Sequence, residues 1–140
     1  MALASKSLFS PINVTHEQQS REQSMTEINN DELLVMWTTG EIDTAKSMVF
    51  MYTLNAKLQG WWEDVTLLMW GAADRLILED EELQATLKKM QDAGVKTVAC
   101  RACAEKMEVA EQLKELGIKV FYTGQFLTDW LKSGKKMITV

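Results

Sequence analysis

The sequence predicts an α/β fold, a three-layer α/β/α domain built around a five-stranded, mainly parallel sheet. Three observations lead there. Short continuous apolar runs alternate with longer segments whose apolar residues recur at helical spacing, the pattern of strands buried on both faces joined by crossover helices. The connections are only a few residues long. Glycines stand where helices should stop, at Gly60, Gly94 and Gly117.

Residues 1–30 lie outside this pattern. SPINVTHEQQSREQSMTEINN (10–30) is polar, with few apolar residues at any period, so it buries little surface by itself. The expectation is a mobile or partner-bound arm of 1–30 followed by one domain over 31–140, with His16, the single histidine, exposed in the arm. The opening MALASKSLFS has too little apolar length for a signal peptide, and no run approaches a membrane span. A cytoplasmic protein with reduced thiols is therefore expected.

The elements follow in order. LLVMWTT (33–39) is the first strand. In the next segment Ala45, Met48, Val49, Tyr52, Ala56 and Gln59 share a helical face, and Gly60 ends the helix. DVTLLMW (64–70) is the second strand. After Gly71 a short irregular or helical turn precedes a helix over 80–93, whose acidic start and lysines near its end complement the helix dipole. VKTVAC (95–100) is the third strand, and AEKMEVAEQLKELG (104–117) reads as a single helix. IKVFY (118–122), QFLTDWLKSG (125–134) and KKMITV (135–140) supply the fourth strand, the last helix and the last strand.

Composition narrows the function. With 140 residues the chain can bury a proper core without disulfides, and 46% hydrophobic with 25% charged is ordinary for a globular domain. A net charge of −5 leaves no basic stripe for phosphates, which argues against nucleic acid. Neither GxGxxG nor GxxxxGK[ST] follows a strand, and the one histidine is too distant to serve a catalytic triad. No cofactor is expected.

In open α/β sheets chemistry gathers at the carboxyl ends of the strands, here 38–41, 70–75, 100–103 and 122–125. The third of these holds both cysteines, Cys100 and Cys103, as CxxC. Cys100 ends a strand just before a helix, an exposed, electropositive place where the helix dipole, with Arg101 and Lys106 nearby, favours a thiolate. Cys103 starts a run with Met107, Ala110, Leu113 and Leu116, which predicts a place on a buried helix face. A thioredoxin-type dithiol is disfavoured, because the sole proline, Pro11, lies in the arm. A zinc site lacks ligands, since two cysteines and one distant histidine do not make four, and no metal is expected.

The stretches LLVMWTTG, LLMWGAADRLILEDEELQ, GVKTVACRACAEKMEVAEQLKELGIKVFYTG and FLTDWLKSGKKMITV together resemble the DsrE/DsrF-like (YchN-like) family, which includes sulfur-relay subunits such as TusD. The resemblance covers 31–140 and implies a DsrEFH-like, flavodoxin-like domain that assembles into homo-oligomers, trimers or hexamers. It also implies a persulfide carried on the cysteine at the end of the third strand, matched by Cys100, with Cys103 matching a second cysteine present in many relatives. The resulting expectation is a sulfur carrier, possible sulfurtransferase, that exchanges sulfur with donor and acceptor proteins. Backbone N–H groups of 101–103 would hold the anionic sulfur. A ligand or partner pocket would be lined by Thr39, Gly40, Gly71, Asp74, Arg75, Arg101, Tyr122 and Gly124, with Asp74, Arg75 and Tyr122 able to touch a partner or small ligand. Two other readings stay open: an oligomeric interaction module with structural thiols, to which the five tryptophans and the pair Trp61 and Trp62 would lend an interface, and a thiol-disulfide redox protein.

Overall fold

The computed structural model describes residues 31–140, so the expected arm and His16 lie outside the described residues. Strand β1 (Glu32–Trp37) is followed by one continuous helical stretch: α1 (Ile42–Thr44), a π-helical turn (Ala45–Phe50) and α2 (Met51–Leu58). Then come β2 (Asp64–Met69), α3 (Ala73–Glu79), α4 (Glu81–Ala93) and β3 (Lys96–Cys100). The chain closes with α5 (Arg101–Lys106), α6 (Ala110–Glu115), β4 (Lys119–Phe121), α7 (Gly124–Ser133) and β5 (Lys136–Thr139).

The five strands form one parallel sheet in the order β4-β3-β2-β1-β5. From β1 to β4 each strand is added on the same side, and right-handed crossovers put the intervening helices on one face; the return to β5 puts α7 on the other. The core divides accordingly. Leu33, Val35, Trp37, Leu67, Met69 and Ala99 face buried residues of the π-helical turn and of α2 to α6, among them Phe50, Ile77, Leu87 and Leu113. Leu34, Leu68 and Val98 face Trp130 of α7. The expected three-layer α/β/α architecture with a five-stranded parallel sheet is what the chain forms, one helix layer being the single helix α7.

Two helical details depart from the sequence pattern. The π-helical turn widens the first helix, so the buried face moves: Val49, Phe50, Thr53 and Ala56 point inward, while Met48, expected on that face, is 40% exposed. The expected single helix over 104–117 is two. It stops after Lys106, where the Val109 amide donates to the Ala104 carbonyl at 2.9 Å and the Glu108 amide to Glu105 at 3.0 Å. That is a Schellman cap with Glu108 as its left-handed residue, at φ 60°. Of the tryptophan pair, Trp61 is exposed and Trp62 donates from Nε1 to the Tyr52 hydroxyl at 3.0 Å. Among the described residues no helix is long and apolar enough to cross a membrane.

Candidate functional site

The carboxyl end of the sheet brings the predicted loops together. At the β1 end, Trp37 donates from Nε1 to the Thr39 carbonyl at 2.9 Å, and the Thr38 and Thr39 amides donate to the Val140 carbonyl at 2.7 and 3.2 Å. The crevice between β1 and β5, where the strand order reverses, is thus filled by backbone pairing rather than left for a ligand. Thr39 acts locally: its hydroxyl accepts from the Glu41 amide at 3.1 Å. Glu41, which the sequence reading missed, caps α1 through both carboxylate oxygens, at 2.8 Å from the Asp43 and Thr44 amides, and hydrogen bonds from Thr44 and these amides lower its pKa. Gly40 lies against the next loop. A Cβ on it would stand 3.0 Å from the Ala72 Cβ.

The second loop turns at Gly71, whose φ of 70° is a left-handed conformation a side chain would strain. The Gly71 carbonyl accepts from the Asp74 amide at 3.1 Å and starts α3. The turn also directs the Gly71 backbone toward Cys103, whose pKa it lowers. Asp74, in the first turn of α3, is fully buried, and neither carboxylate oxygen has a hydrogen-bond partner among the described residues. Burial alone raises its pKa to about 7. Asp74 was expected to touch a partner from the surface; α3 instead packs the side with Ala73, Leu76 and Ile77 inward, and Asp74 goes with them, leaving Arg75 exposed.

The thiols sit at the end of β3. Cys100 ends the strand and is the N-cap residue of α5, with an extended backbone. Cys103 follows one helical turn later, near enough for Cys100 to raise its pKa, and no disulfide joins the two. Their environments are the reverse of the sequence expectation. Cys100 is only 4% exposed, and Cys103 is half-buried. The register explains this: Cys100 still pairs with Phe121 inside the sheet, whereas the early end of α5 leaves Ala104, not Cys103, as its buried residue. Desolvation raises the Cys103 pKa most; the Gly71 backbone opposes this, and Cys100 and the Asp74 charge add to it.

Arg101 does not turn to the thiols. Its Nε is 2.9 Å from the Glu105 carboxylate, the Tyr122 hydroxyl donates to the same carboxylate at 2.9 Å, and the guanidinium lies 5.1 Å from the Tyr122 ring centre. Glu105 therefore unites two predicted residues, raising the pKa of both, while Arg101 and then Tyr122 lower its own. The i,i+4 spacing of Arg101 and Glu105 on a helix was the signal for this third member. Gly124 opens α7 and is exposed, and the preceding Thr123 is buried with an unpartnered hydroxyl. The structure thus gathers Gly40, Gly71, Asp74, Cys100 and Cys103 into one corner, and sets Arg101 and Tyr122 as an exposed pair beside the same helix.

Among the described residues no three His, Cys, Asp or Glu side chains converge as a metal centre requires. A groove of about 1050 Å³ lies at the other end of the sheet, beside α7, with Glu32, Asp64, Lys96 and Lys119 from the strand starts on its rim. It does not include the thiols.

Comparison with known proteins places this arrangement. The model of the DsrE/DsrF-like family matches residues 31–140. Among solved structures, BT1422 of Bacteroides thetaiotaomicron, a conserved protein of unknown function, is 39% identical, with a TM-score of 0.77 over 79% of this chain and 96% of that one. The YchN protein of E. coli is 15% identical, with a TM-score of 0.63 over 79% of this chain and 99% of that one, a likeness of fold. No curated protein sequence matches.

Proposed function

The chain belongs to the DsrE/DsrF-like family, and from that premise we propose that it is a sulfur carrier holding sulfane sulfur on Cys100. The Cys100 thiolate attacks the outer sulfur of a donor protein's persulfide. The donor S–S bond breaks, the donor leaves as a thiolate, and Cys100 holds the perthiol. An acceptor thiolate then attacks that outer sulfur and returns Cys100 as a thiolate. The observation that carries the reading is the placement of two free cysteines one helical turn apart at the carboxyl end of β3 and the start of α5. The burial of Cys100 supports it as well, since a sulfane sulfur held there is shielded from stray thiols, while half-buried Cys103 borders the approach.

Mass spectrometry after exposure to a small-molecule persulfide tests this. One lasting added sulfur is expected on Cys103→Ser, a transient one on the wild type, where Cys103 stands next to the loaded sulfur, and none on Cys100→Ser. Equal uptake by Cys100→Ser would show that Cys100 is not the carrier. The same placement of the two cysteines favours a second reading, a thiol-disulfide redox pair. In that case the wild type would instead lose two hydrogens under mild oxidant and take up no sulfur.

A further inference from the structure

Asp74 has no role in the carrier cycle just described, yet it is the most unusual titratable group at this end of the sheet. It is fully buried, both carboxylate oxygens lack partners among the described residues, and its charge raises the Cys103 pKa. A buried carboxylate without a hydrogen bond or counter-ion is costly, and such groups are normally found paired. Among the described residues nothing charged compensates it. Arg75 beside it is exposed, and Glu41 in the adjoining loop bonds the start of its own helix. Arg101 of α5 is held by Glu105, Glu111 of α6 by Lys114, and Glu82 of α4 by Lys46. The described residues include no histidine, so none of them offers the thiol pair an imidazole to take its protons.

We propose that Asp74 is the proton acceptor for Cys103 when Cys103 closes onto Cys100 and expels whatever Cys100 carries. This deepens the carrier reading and rests on it for the identity of the expelled sulfur. The step balances within the pocket. The Cys103 S–H bond breaks and its proton goes to the Asp74 carboxylate; the Cys103 sulfur attacks the Cys100 Sγ; the bond from Sγ to the outer sulfur breaks, and HS⁻ leaves. The two cysteine sulfurs are oxidised to a disulfide and the sulfane sulfur is reduced to sulfide, so no outside oxidant is needed. In the resting arrangement neither Asp74 oxygen bonds a thiol, which is common for catalytic hydrogen bonds that tighten only as the reaction begins. The carboxylate's pKa of about 7 leaves it part-ionised at neutral pH, suited to both taking and releasing a proton.

Two effects of Asp74 have opposite signs, which makes the test sharp. As a mere negative neighbour it suppresses the Cys103 thiolate, so removing its charge would speed the closing step. As a proton acceptor it promotes that step, so removing it slows the step. The experiment uses the full-length chain in two arms. In one, the protein is loaded with a small-molecule persulfide and sulfide release is followed; in the other, it is treated with an aromatic disulfide reagent, and release of the second coloured thiolate reports closure of the pair. Wild type is expected to show a rate that rises through about pH 7, following the Asp74 carboxylate. Asp74→Asn is expected to lose that inflection and to close on the order of 100-fold more slowly. Asp74→Glu, which keeps a carboxylate, should retain the inflection and part of the rate. A faster Asp74→Asn protein, or a wild-type rate with no inflection near neutral pH, overturns the proposal. The wild-type profile alone can do so even if a variant fails to fold. A protein that takes up no sulfur but closes with Asp74 dependence in the second arm refutes the carrier reading and leaves the proton acceptor standing.

Discussion

At the scale of single residues, Gly40 sets the spacing of the first two strand-end loops. Its φ is not in the left-handed region, so the demand for glycine is one of space: a Cβ would meet the Ala72 Cβ at 3.0 Å. Gly40→Ala should therefore cost about 1–3 kcal/mol, the usual range for overpacking, read from the denaturant midpoint. Ala72→Gly should restore most of that loss in the double variant, because the two methyl positions are the clash. A Gly40→Ala protein with an unchanged midpoint would show the loops to be looser than this. What was legible at this scale was chemistry rather than burial. The CxxC spacing and the strand-end position of Asp74 could be read from the chain. That Cys100 lies inside the sheet beside Phe121, and that Asp74 points inward with Leu76 and Ile77, depends on register and on the rotation of a seven-residue helix, neither of which local sequence determines.

At the scale of elements, helix ends were legible where a glycine marks them. After α2, α4 and α6 the chain forms the same cap, with Gly60, Gly94 and Gly117 as the left-handed residue. After α5 it forms that cap on Glu108, the only described non-glycine residue with positive φ. With no glycine to announce it, the break was invisible, and an unbroken helix put Cys103 on the wrong side. A side chain in the left-handed region costs about 1–2 kcal/mol, partly offset for glycine by its greater freedom in the unfolded chain. Glu108→Gly is therefore expected to raise stability by about 0.5–1 kcal/mol, whereas Glu108→Ala, which keeps a Cβ, should gain nothing. Thermal unfolding of the two variants side by side decides it, and a glycine variant no better than alanine would mean the cap is not strained. The π-helical turn has no comparable signal: Ala45–Phe50 reads as ordinary helix, and only the inward turn of Phe50 against Trp37, ring centres 4.9 Å apart, shows why the wider turn is kept.

At the scale of the whole molecule, the strand order gives one helix-covered face most of the core and leaves Asp74 sealed beneath the helices of that face, and this has a consequence for global stability. The folded-state pKa of Asp74 is raised to about 7, while in the unfolded chain it returns to the ordinary value of about 3.9. Between those values the folded protein holds a proton that the unfolded chain releases. Its contribution is therefore complete below about pH 4, falls as pH rises toward 7, and levels off above that, with a slope of at most about 1.4 kcal/mol per pH unit for one proton. The carboxylates Glu41, Asp80 and Glu105 have lowered pKa values, so their contribution runs the other way and fades only in stronger acid. Wild type should accordingly melt highest in mild acid and lose melting temperature steadily toward neutrality. Asp74→Asn removes the titrating group and should flatten that decline, so that the two melting curves diverge most above pH 7. Parallel profiles for the two proteins would mean that Asp74 is ionised, and solvated or paired, throughout, and would remove the physical basis for a proton held beside the thiols.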